Sequence, residues 1–111
     1  MIVATTDRIP GFRITAVLGI VRGVVVRSPS IGQGIAGALE NVFGGNIKAY
    51  DSVCEDARNE AAERMVRHAR DLAADAVLGM RYDATEFSPG ITEVLAYGTA
   101  VRLVKIMPHN R

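Results

Sequence analysis

The sequence predicts an α+β domain of two layers, an antiparallel sheet with one long and one short helix packed on it. Three observations carry this expectation. Residues 50–74 contain neither Gly nor Pro and are rich in Ala and Arg, with apolar side chains recurring at helical spacing. Ala76–Phe87 and Ile91–Ile106 are strand-like runs joined by Ser88-Pro89-Gly90, the pattern of a hairpin with a short loop. Phe12–Arg27, rich in Val and Ile, supplies a further long strand or bent strand pair.

Taken in order, Ile2-Val3-Ala4-Thr5 is a short β-branched run ended by Asp7-Arg8-Ile9-Pro10-Gly11, where Pro followed by Gly predicts a tight turn. Within Phe12–Arg27, Gly19 and Gly23 are the expected bulge or bend points. Ser28-Pro29-Ser30 ends that strand, and Ile31–Phe43 reads as the short helix, closed by Gly44-Gly45-Asn46. The long helix follows, with Ser52 and Glu55 at the spacing of a capping box. Tyr50, Cys54, Ala57, Ala61, Met65, His68 and Leu72 form one stripe on it. Ala62, Val66, Ala69 and Ala73 widen the apolar arc to nearly half the circumference. An arc that wide predicts two contacts, one with the sheet and one with a neighbouring element or subunit. In the hairpin, pairing Phe87 with Ile91 puts Arg81, Asp83 and Thr85 on one face with Glu93, Leu95, Tyr97 and Thr99.

A chain of 111 residues, 49% apolar and 23% charged, has the size and balance of a single globular domain, read here as residues 1–106 with a flexible tail at 107–111. At that size roughly a third of the unfolded chain's surface stays exposed, which favours sharing apolar surface between subunits. The net charge of +1 is spread, and the arginines at 8, 13, 22 and 27 stand in an apolar segment with few aromatics. A nucleic-acid partner is therefore not expected. No run approaches the ~20 apolar residues of a membrane span, no signal-peptide pattern opens the chain, and the single cysteine forms no intrachain disulfide. A cytoplasmic location is expected.

No constellation identifies a reaction. Gly32-Gln33-Gly34-Ile35-Ala36-Gly37 matches the dinucleotide fingerprint G-x-G-x-x-G, but no further strand carrying an acid follows about 20 residues on. Small residues for close packing explain it better. Cys54 and His68 are the metal candidates by chemistry. They lie about 21 Å apart along one helix, so each needs donors from elsewhere. A buried small thiol and a hydrogen-bonded histidine account for both more simply. His109 falls in the tail and is given no role. Arg58 lies inside the apolar arc, and a buried guanidinium must be paired. Asp83 and Glu93, with Arg81 on their face, are its expected partners. These four form a candidate cluster for a ligand or a subunit contact, holding an anion or, through carboxylate oxygens, a divalent metal ion. The rival chemistry is a small hydrolase or isomerase with Asp83 or Glu93 as general base.

Several segments in order resemble one family: Met1-Ile2-Val3 before a Thr pair; Leu18-Gly19-Ile20-Val21-Arg22-Gly23; Gly44-Gly45 before Tyr50; Ala57-Arg58; Ala73-Ala74-Asp75-Ala76-Val77-Leu78-Gly79; Arg81-Tyr82-Asp83; and Tyr97-Gly98-Thr99-Ala100-Val101. Together they resemble the YbjQ-like family of uncharacterised bacterial proteins, sometimes labelled heavy-metal-binding. The resemblance implies a compact subunit of a ring-shaped homo-oligomer, a pentamer or a multiple of one, and no established reaction. No Cys-x-x-Cys or His-x-x-x-His is present to match the metal label. The expected function is thus a homo-oligomeric binding or structural protein of the bacterial cytoplasm rather than an enzyme, holding a metal ion or small anion at subunit boundaries.

Overall fold

A computed structural model describes residues 1–27, 47–88 and 91–107. Its elements are β1 (Ile2–Val3), β2 (Phe12–Arg27), α1 (Ile47–Asp71), β3 (Ala76–Ser88) and β4 (Ile91–Lys105). The short helix expected at residues 31–43, with its glycine motif, lies outside the described residues, as does His109.

The four strands form one sheet in the order β1-β3-β4-β2. It is mixed, which corrects the expected antiparallel sheet: β1 runs parallel to β3, with Ile2 opposite Ala76 and Val3 opposite Val77. The remaining pairs, β2 with β4 and β3 with β4, are antiparallel. Two paired residues are too few to show a direction in the sequence. The connection between β1 and β2 behaves as expected. Gly11 has φ +84 and the Phe12 N–H bonds the Ile9 carbonyl at 3.1 Å, a type II turn with Pro10 and Gly11 at its centre.

The hairpin keeps the expected faces. Arg81 stands opposite Tyr97, Asp83 opposite Leu95 and Thr85 opposite Glu93. An irregularity between Glu86 and Ser88 then brings Ser88, rather than Phe87, opposite Ile91. In β2, Gly19 sits at a register shift with φ +124. Gly23 does not bend the strand but pairs regularly with Ala96. A Cβ there would run into the Ala61 carbonyl and the Met65 nitrogen, so its bare backbone is what lets α1 approach β2.

One face of the sheet is covered by α1. Ala61, Met65 and Ala69 are fully buried against Val21, Val25, Val77, Met80, Ala96 and Ala100. The helix begins at Ile47, so Ser52 lies inside it and not at its N-cap position. Ala69 joins the core, while Ala62 and Val66 lean on it half-buried. Much of the second helical band is therefore spent on the chain's own sheet. At the other end the helix closes in a Schellman motif. The Ala74 N–H bonds the Ala69 carbonyl at 3.0 Å, the Ala73 N–H bonds that of Arg70 at 2.9 Å, and Ala73 takes φ +60. A second cluster, Ala76, Leu78 and Val101 under Ala4, Ile9 and Leu103, lets the N-terminal segment cover one end of the opposite face.

Candidate functional site

The alternation of β-strand side chains fixes which candidates can meet. Three neighbouring rows cross the face that α1 leaves uncovered: Arg22, Tyr97 and Arg81; then Val24, Leu95 and Asp83; then Val26, Glu93 and Thr85. Three of the four candidate residues therefore share a face. Arg81 is exposed, and its guanidinium donates to the Thr5 carbonyl at 3.2 Å and the Met80 carbonyl at 2.9 Å, tying the N-terminal segment to β3. Asp83 is exposed, and its Oδ1 accepts the Ala84 N–H at 2.9 Å. Glu93 is half-buried beside it, on the diagonal across the ladder.

Arg58 is on α1, on the other side of the sheet. The expectation that it is buried and paired with Asp83 or Glu93 is not met. Its side chain is 48% exposed and its Nη1 bonds Glu55 Oε1 at 3.0 Å, one turn back on the same helix. At i,i+3 spacing Glu55 is the nearest available carboxylate, and solvent screens the rest. Arg58 borders a groove of about 470 Å³ between the helix and the sheet, with Arg27, Tyr82 and Thr92 as its polar neighbours and Ala57 and Val94 among its apolar lining. Asp83 also lines this groove. Arg27 is itself held by Glu60 at 3.2 Å, and Glu60 also lies 3.7 Å from Arg64. Two guanidiniums, each already paired with a helix carboxylate, thus stand over an apolar floor, with the Asp83 position beside them.

His68 is half-buried between α1 and β2, and its Nδ1 accepts the Arg22 backbone N–H at 3.2 Å. A neutral imidazole that accepts at Nδ1 carries its proton on Nε2, so neither nitrogen offers a free lone pair. Four residues earlier on the helix, Arg64 donates to the Val24 carbonyl. The two side chains thus bond backbone groups along the outer edge of β2. Sequence reasoning missed this. In the sequence Arg64 is one charged residue among several on the long helix, and nothing marks a histidine that bonds a strand edge. Asp83 gave more warning, because aspartates commonly bond nearby backbone N–H groups.

Among the described residues no three of His, Cys, Asp and Glu come together as a metal site would require. Cys54 lies in α1, and its side chain is outside the described residues. With the imidazole engaged at the strand edge, the described part of the chain does not fit a heavy-metal site of its own.

Comparison with known proteins accords with this fold and its order of motifs. Residues 1–104 match the YbjQ-like family profile, described as "Putative heavy-metal-binding". A UPF0145 protein of Chromobacterium violaceum is 55% identical over 101 residues, 91% of this chain and 86% of the relative. One from Burkholderia thailandensis is 50% identical over 104 residues, 94% of each chain. A crystal structure from Pediococcus pentosaceus, of a protein of unknown function in the DUF74 family, aligns with TM-score 0.55 at 17% identity, covering 94% of this chain and 98% of that one. That likeness concerns the fold alone.

Proposed function

The chain belongs to the YbjQ-like family, and from that premise we propose that it is a homo-oligomeric binding or structural protein of the cytoplasm rather than an enzyme. The assembly is a ring of five subunits or a multiple of five, with a small ligand held where subunits meet. One observation carries the self-association. Among the described residues, the sheet face opposite α1 exposes large apolar side chains, led by Ile20 at 72% and Val17 at 68%. Apolar surface gathered on one face of a small domain is the usual mark of a partner surface.

For the ligand, the groove at Arg27 and Arg58 favours a small anion. A heavy metal, the ligand in the family's description, would need donors from more than one subunit. Native mass spectrometry of protein purified without added metal tests both parts. The expected result is a multiple of the 11.9 kDa chain, with any retained small molecule or metal ion read as added mass. A folded monomer at micromolar concentration, by light scattering, would overturn the assembly. Phosphate or a small carboxylate binding the R58A variant as well as it binds the wild type would overturn the ligand site.

A further inference from the structure

We infer that His68 makes the contact between α1 and β2 acid-sensitive: the imidazole holds the edge of β2 only while it is neutral, and protonation releases that hold. Two side chains on successive turns of α1 grip backbone groups of β2, which is the outer strand on one side of the sheet. Arg64 donates to the Val24 carbonyl, and His68 Nδ1 accepts the Arg22 N–H at 3.2 Å. The two grips differ in how they answer to pH. A guanidinium keeps its protons throughout, whereas imidazole is the side chain whose charge ordinarily changes between about pH 5 and 8. Glu60, 3.7 Å from Arg64, steadies the guanidinium further. One grip is therefore permanent and the other is set by pH.

The donor fixes the direction of the effect. Arg22 offers an N–H, so Nδ1 must present a lone pair, and only the neutral imidazole has one. A second proton on the ring turns Nδ1 into a donor facing a donor, and the bond is lost. The tie is present above the titration of the ring and disappears as the pH falls through it. Charged neighbours do not reverse this sign. Arg64 and Asp71, at i−4 and i+3 on α1, are of opposite charge. Arg67 and Arg70 border another stretch of the helix surface, beside Ala62 and Val66. By strand alternation the Arg22 side chain lies on the far face of the sheet. Among the described residues, those that the sheet packs under this part of the helix are Val21 and Gly23 of β2, Ala96 and Ala100 of β4 and Met80 of β3, none of which titrates. Met65 and Ala69 of α1 are fully buried, so acid removes one tie at the strand edge while the core still seats the helix.

The test is NMR of 15N-labelled wild type and H68N, titrated from about pH 7.5 to about pH 5, with urea denaturation of both and of H68A at one protein concentration. At the upper pH the wild-type ring is expected to be the Nε2–H tautomer. The Arg22 amide proton should move upfield with the same midpoint as the ring. In H68N the side-chain amide oxygen replaces Nδ1 and does not titrate, so the Arg22 signal should hold its position. The wild-type folding constant is expected to fall about fivefold relative to that of H68N across the range, the equivalent of one hydrogen bond, and H68A to match the wild type at the acid end. An Nδ1–H tautomer at the upper pH, or an Arg22 amide indifferent to the titration of the ring, would overturn the inference. So would a wild-type stability that runs parallel to that of H68N. The ring and amide signals come from the wild type, so they decide the matter even where a variant folds poorly.

Discussion

His68 shows how far residue type alone can mislead. Imidazole chemistry suggests a ligand or a base, but the ring accepts a backbone N–H from Arg22 and bridges the helix to the edge strand. The H68A variant is expected to lose about 1 kcal/mol of stability, the ordinary net worth of one hydrogen bond, read from urea denaturation. Zinc uptake measured by calorimetry should be the same in this variant and the wild type; a loss of uptake would restore the ligand reading. Gly23 gives a larger effect. In G23A the new methyl meets the Ala61 carbonyl and the Met65 nitrogen, both backbone atoms that cannot move aside without shifting the helix. A destabilisation of about 3 kcal/mol is expected, again from denaturation midpoints. At this scale Pro10 and Gly11 were readable, because their turn depends only on local φ preferences. The pairing of Arg58 was not, since which carboxylate is nearest depends on where the sheet lies.

At the scale of elements, the long helix was readable because a stretch without Gly or Pro and an apolar stripe reinforce each other. Its start was misplaced, for Ser52 and Glu55 have the capping spacing by coincidence inside a helix that begins at Ile47. Its end is held by hydrogen bonds on a residue poorly suited to them. Ala73 takes φ +60, where a Cβ is crowded and glycine is favoured. The A73G variant should therefore be more stable by about 1 kcal/mol, raising the thermal midpoint by about 4 °C, as scanning calorimetry would show. The β1 strand was recognisable as extended, but its parallel pairing with β3 follows from how the chain returns after β2 and α1, which two residues do not encode. The hairpin faces were legible from alternation alone, because a register error of one residue would have turned Asp83 and Arg81 into the helix.

For the molecule as a whole, among the described residues α1 packs on one face of the sheet and the N-terminal segment covers only one end of the other. The sequence pointed to shared burial but placed it on the second band of α1. The structure turns Ala69 into the core and leaves the larger exposed apolar groups on the sheet. The reason is geometric: a helix lying over a twisted sheet buries a wider arc than a flat projection allots to it. If folding and association are linked, the thermal midpoint should rise with protein concentration; a midpoint independent of concentration would separate the two.

The side chains bonded along the outer edge of β2 also bear on how such a chain behaves when crowded. An open strand edge is an endless template, since each chain added offers the next a fresh edge, and growth of that kind ends in fibrils. Here the Arg22 N–H and the Val24 carbonyl on the outer edge of β2 are already bonded by His68 and Arg64, so that stretch of edge is a poor template. Filaments that grow by adding strands to that edge are therefore not expected in concentrated solutions, as light scattering followed over time would show.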